Sequence, residues 1–146
     1  MTKRPATAEV FDLEAHPEGG WFRRMWTSNR AVDTDGGTRP AATCIHYLLV
    51  PGEQSAWHVV TSDEIWLWHG PGSLILSLGG NGDEPGDPQE FVLGPEHADG
   101  NLAQILVPAG VWQAARLGGD AEALVSCVVS PGFDFADWSL AVPPVS

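Results

Sequence analysis

The chain has 146 residues, 43% hydrophobic and 18% charged, which is the size and balance of one globular domain around a single core. Nineteen acidic residues against seven basic ones give a formal charge of -12, which argues against nucleic acid or an anionic membrane surface as partner. Seventeen Gly and twelve Pro favour short strands joined by turns over long helices.

Residues 1–8 are polar and expected to fray. Residues 9–15, EVFDLEA, suit one or two helical turns with Val10 and Leu13 facing inward. His16-Pro-Glu-Gly-Gly20 stops any helix, because Pro17 disfavours αR in its predecessor and the paired glycines permit positive φ. Residues 21–28 read as a strand with Phe22, Arg24 and Trp26 on one face and Trp21, Arg23 and Met25 on the other. Residues 29–40, rich in Asp, Gly and Thr, read as a loop.

Residues 43–50, TCIHYLLV, form a second strand, apolar on both faces except for His46, and so covered on both sides. Residues 55–60, 64–68 and 73–78 continue the series. Residues 79–88, GGNGDEPGDP, are a long exposed turn. Strands over 90–93, 102–107, 112–117 and 123–129 complete the set, and residues 136–140 suit one helical turn. Nine short strands at close spacing with Gly/Pro turns predict an all-β barrel or jelly roll in one domain, its ordered part running from about residue 9 to 140.

Cys44 and Cys127 sit in apolar strand patterns and read as two buried free thiols. No N-terminal apolar run has the form of a signal peptide and no stretch is long enough to span a bilayer, so a cytoplasmic protein is expected.

The stretch from Gly52 to Gly70 reads Gly-x5-His58-x5-Glu64-x5-Gly, and Pro108-Ala-Gly-Val-Trp-Gln113 follows it. This pair resembles the two-part signature of the cupin superfamily. Further stretches are similar to its cupin 5 branch, a domain of unknown function. They are His16-Pro-Glu-Gly-Gly20 with Phe22-Arg23, Thr43-x-Ile-x-Tyr-Leu-Leu49, Ser62-Asp-Glu-Ile-Trp66, Gln104, and Cys127-Val-Val-Ser-Pro-Gly-Phe-Asp-Phe135. The resemblance implies a jelly-roll barrel related in fold to sugar-nucleotide 3,5-epimerases, and a homodimer. Two positions depart from the branch: Val59, where Arg is common, and His46, where Tyr is frequent.

The usual cupin metal ligands map onto His58, Val60, Glu64 and Gln113. Valine cannot coordinate and a neutral amide is a poor ligand, so His58, Glu64 and Gln113 make only a weak metal set and no cofactor is expected. If alternation holds, His58 and Glu64 point into the barrel with Trp66 and Trp68 on the face of Glu64. A carboxyl among indoles has a raised pKa, and a neighbouring imidazole opposes that rise. Such a pair suits proton transfer beside a carbonyl, with His58 as base and Glu64 as its orienter or the acid.

The competing interpretation is that His58, Glu64 and Gln113 hydrogen-bond one another and plug the barrel. Burying three polar groups there costs stability unless a partner or a ligand satisfies them. Arg23, favoured over Arg24 by the resemblance, is the candidate clamp for a carboxylate or phosphate. Phe22, Tyr47, His46 and Gln104, which stand in the stretches that carry the resemblance, complete the ligand-binding set with Trp66, Trp68 and Gln113. Glu18 either closes the barrel mouth or only makes the turn. The expected protein binds a small molecule as a metal-independent isomerase, epimerase or lyase for a sugar-like or carbonyl-bearing substrate. The alternatives are a binding module without turnover and a metal-dependent oxygenase or lyase.

Overall fold

Alternation along the strands becomes two facing antiparallel sheets in the computed structural model, which describes residues 3–141. Helix α1 (Ala6–Val10) precedes β1 (Glu14–Ala15), β2 (Trp21–Thr27), β3 (Ala31–Thr34), β4 (Gly37–Pro40), β5 (Thr43–Leu49) and β6 (Gln54–Val60). Then come β7 (Asp63–Pro71), β8 (Leu74–Leu78), β9 (Gln89–Leu93), β10 (Gln104–Val107), β11 (Gln113–Leu117), β12 (Ala123–Ser130) and β13 (Trp138–Leu140). Sheet order is β1-β2-β5-β12-β7-β10 against β13-β6-β11-β8-β9, with β3–β4 a separate hairpin. The architecture is an all-β jelly roll, with strand partners drawn from distant parts of the chain.

The core lies between the sheets, where Tyr47, Leu49, Trp66, Leu74, Leu76, Leu93 and Val125 are buried together. A second cluster of Ala8, Leu13, Trp21 and Leu48 seats α1 on the outer face of the larger sheet. Cys44 and Cys127 are free, on paired strands but on opposite faces, Cys127 in the core and Cys44 outside it. No helix among the described residues is long and apolar enough to cross a membrane.

Four expectations are corrected. The helix starts earlier, at Ala6, and buries Ala8 where fraying was expected; the first two residues of that stretch lie outside the described ones. Leu13 is buried after the helix ends, but Val10 is 78% exposed, because α1 stops after five residues and turns only Ala8 inward. Residues 29–40 hold the β3–β4 hairpin, since Asp35-Gly36 makes a two-residue turn between two extended runs, with Gly37 at positive φ closing it. The C-terminal helical turn is shorter and shifted, a 3-10 turn at Phe135–Asp137, and the chain then pairs as β13 with β6.

Candidate functional site

Core side chains fill one end of the barrel and leave a cavity of about 170 Å³ at the other, lined by His16, Glu18, Phe22, His58, Glu64 and Trp138 among others. His58 reaches it through an irregularity in β6. Gln113 pairs with His58 and Ala115 with Ser55, so β6 carries one extra residue there. That bulge re-phases the strand and turns both Ser55 and His58 inward.

Glu18 enters from the turn before β2. Gly19 and Gly20 have φ of +104° and +77°; a Cβ on Gly19 would stand 2.1 Å from the Gln54 carbonyl oxygen, so only glycine fits. The Ala56 amide donates to the Glu18 carbonyl at 2.8 Å and fixes the turn on β6. The Glu18 carboxyl then lies with Oε2 3.0 Å from His58 Nε2, both side chains nearly fully buried. Ala56 also holds the ring: its carbonyl lies 2.7 Å from His58 Nδ1. A carbonyl only accepts, so Nδ1 carries a proton and the Nε2 edge faces Glu18. Whichever atom holds it, one proton joins Nε2 to Oε2. Burial pushes the Glu18 carboxyl up to about 8, against a hydrogen bond from the Trp138 indole. Burial lowers the pKa of His58, so the proton rests on the Glu18 side.

Glu64 faces this pair from the opposite sheet. Trp66 Nε1, a donor only, bonds Gln113 Oε1 at 2.8 Å, which turns the Gln113 amide nitrogen to Glu64 Oε1 at 2.8 Å. Burial pushes Glu64 up to about 7, while nearby His58 pulls it down. Burial also drives the neighbouring Cys127 thiol well above its usual range, which leaves it a neutral contact of Glu64.

The walls are aromatic. His16 packs on Phe22, Tyr47, Phe135 and Trp138, with ring centroids 4.6 to 6.1 Å apart. Its Nδ1 accepts the Glu18 backbone amide, and burial lowers its pKa to about 4, so it is neutral. The turn that supplies Phe135 is anchored by Asp137, which accepts from Arg39 Nε at 2.8 Å and Nη2 at 3.0 Å.

Of the residues singled out in the sequence, the cavity brings together His58, Glu64 and Phe22, with Gln113 and Trp66 behind Glu64. Tyr47 is buried in the core and donates to the Gly19 carbonyl. The others lie elsewhere. Arg23 points outside to Asp12, and Arg24, on the face of Phe22, lines the cavity instead. His46 is on the outer face of β5, near His69, because Thr43, Ile45 and Tyr47 take the inner one. Gln104 is exposed on β10, and Trp68 bonds the Gly72 carbonyl away from the cavity. Sequence reasoning left Glu18 undecided and missed His16 and Trp138; the glycine pair that directly follows Glu18 was the one signal for it.

No group of three His, Cys, Asp or Glu among the described residues is placed to hold a metal ion. Val60 stands in the cavity wall, and the Gln113 oxygen is engaged by Trp66, so the donor set the fold family implies does not fit.

A family model described as Cupin superfamily (DUF985) matches residues 6–141. The uncharacterized protein YML079W of Saccharomyces cerevisiae is 32% identical over 144 residues, which span 87% of this chain and 69% of the yeast protein. Protein SO0799 from Shewanella oneidensis superposes with a TM-score of 0.84 at 34% identity, covering 96% of this chain and 85% of its own. A hypothetical protein from Leishmania major gives 0.82 at 31% identity, covering 90% and 83%.

Proposed function

The chain belongs to the Cupin superfamily (DUF985) family, and on that premise we propose that its barrel moves a proton on a small carbonyl-bearing molecule without a metal, as an isomerase, epimerase or lyase does. The observation that carries this reading is the 3.0 Å contact between His58 Nε2 and Glu18 Oε2, inside the cavity and opposite Glu64, which one proton must bridge. Two acid–base centres on facing sheets are what a proton shift across a carbon needs: one takes a proton while the other delivers one.

The raised carboxyl pKa values and the lowered one of His58 support the roles the other way round from the sequence expectation. Glu64, at about 7, is about half ionised at neutral pH and is the base for the proton next to the carbonyl. The Glu18–His58 pair, which keeps its proton up to about 8, is the acid for the carbonyl oxygen. The aromatic walls lower the polarity around both centres and so strengthen their interactions.

The test is solvent exchange. The protein is incubated in D₂O with a panel of small ketoses and keto acids, and deuterium beside the carbonyl is read by NMR. Exchange with one of them is expected, and Glu64→Gln should abolish it. Saturable binding with no exchange would make the barrel a binding module. Stoichiometric iron, zinc or manganese in purified protein would overturn the metal-independent reading.

A further inference from the structure

Three of the chain's seven Lys and Arg residues gather beside the barrel mouth. Arg4, Arg23 and Arg24 line one depression with Asp12, Glu14 and Phe22. Phe22 and Arg24 also line the cavity, so the two hollows share a wall. The short β1 creates this arrangement. It pairs with β2 only at Glu14↔Phe22 and Ala15↔Trp21, which leaves β2 beyond Phe22 at the edge of the sheet. Side chains from both faces of β2 reach one hollow there.

The acids present leave most of the guanidinium donors of these three residues free. Arg4 Nη1 donates to Asp12 Oδ1 at 3.0 Å and Arg23 Nη1 to Asp12 Oδ2, so one carboxylate serves two guanidinium groups. Asp12 is the one non-glycine residue with positive φ among the described residues, at 55°, and that unusual backbone sets its carboxylate between them. Arg24 donates from Nη2 to the Phe133 carbonyl at 2.8 Å, a single bond that steers a five-donor group over the cavity mouth. The lining itself holds three cations and two acids, with Glu9 4.0 Å from Arg4 at its margin, in a chain whose acids outnumber its cations nineteen to seven.

We infer that this depression seats a phosphate or diphosphate group of the molecule whose carbonyl end enters the cavity, with Asp12 as the intramolecular occupant of the guanidinium donors. Guanidinium forks match phosphate as they match carboxylate, and a phosphate adds the further charge and acceptor oxygens that three guanidinium groups can share. The phosphate end therefore selects the substrate while Glu64 and the Glu18–His58 pair act on the other end, so the second half of the inference rests on the proton-transfer reading.

Inorganic pyrophosphate is the probe, titrated by calorimetry and by ³¹P NMR at low ionic strength. The wild-type chain should bind it saturably. Arg24→Gln should weaken binding at least tenfold, and Asp12→Asn, an exchange that the left-handed backbone accepts, should tighten it several-fold. Arg116→Gln, at an exposed Arg paired with Glu90, should change nothing. Absence of saturable binding, equal affinities for the Arg24 and Arg116 variants, or no gain in Asp12→Asn would overturn the inference. Glu64→Gln should bind pyrophosphate like wild type while losing deuterium exchange, so failure at the phosphate site and failure of the proton-transfer reading are separately visible.

Discussion

Glu18 and His58 are both hung from Ala56: its amide holds the backbone of one and its carbonyl the ring of the other. Their shared proton is thus a consequence of where β6 and the glycine turn meet. It does not depend on a flexible side chain finding its partner, and a pair fixed at 3.0 Å in a buried cavity is organised before any ligand arrives.

The first prediction is a narrow bell in the rate against pH. Activity requires Glu64 ionised and the Glu18–His58 pair protonated, so the rate should rise through about 7 and fall through about 8. Glu18→Gln keeps a donor facing Nε2 but has no proton to transfer. It should cost about 10²–10⁴-fold in rate and remove the alkaline limb. A Glu18→Gln variant with wild-type rate and limb would exclude the pair from the chemistry.

Stability should also depend on pH in a stated direction. Glu18 and Glu64 titrate higher in the fold than their ordinary 4.5, so the folded state binds extra protons above that pH. Their contribution is lost as pH rises through about 7 and about 8. His16, lowered to about 4 from 6.5, works oppositely: its contribution is present above 6.5 and is lost as pH falls through about 4. The urea midpoint should therefore fall between about pH 6.5 and 8, where the two carboxyls outweigh His16, His46 and His58, whose lowered pKa values act oppositely and whose effect fades above 6.5. Glu18→Gln should flatten that fall, and a midpoint that rises over the same range would contradict the burial of both carboxyls.

Gln113 is tested by removing its amide. Gln113→Leu keeps the volume but leaves Trp66 Nε1 and Glu64 Oε1 without partners in the barrel interior. The loss should be about 2–4 kcal/mol, read by urea unfolding. Because the Gln113 amide favours the ionised form of Glu64, the acid limb of the rate profile should move to higher pH. A neutral substitution would mean that the two groups find other partners.

Two glycines separate backbone strain from steric contact. Gly19 and Gly52 both have positive φ, +104° and +92°, but an added Cβ meets the Gln54 carbonyl at Gly19 and nothing within 4 Å at Gly52. Gly52→Ala should cost about 1–2 kcal/mol from backbone conformation alone. Gly19→Ala should cost clearly more and lower activity with it, because relieving the clash moves Glu18. Equal costs at the two positions would show that the turn is free to shift.

The sequence by itself determined most of the strands and turns and one face of the site. Period-two alternation, apolar strand runs and Gly/Pro punctuation are local signals, and local chemistry fixes them. The run from Glu64 to Trp68 lays the carboxyl and two indoles on one face without help from the rest of the chain. Pro108-Ala-Gly110 places Gln113 at the start of the strand that follows it, β11. Tertiary structure decided which face was inside. Alternation says that Arg23 and Arg24, or His46 and Tyr47, point opposite ways, but only the pairing of β2 with β5 and the second sheet laid across them choose Arg24 and Tyr47 as inward. The β6 bulge, which turns both Ser55 and His58 inward, arises from register against β11 and has no local signature. Glu18, His16 and Trp138 reach the cavity from a turn and a terminal strand. Their meeting with His58 depends on contacts between distant parts of the chain, which no reading of neighbouring residues supplies.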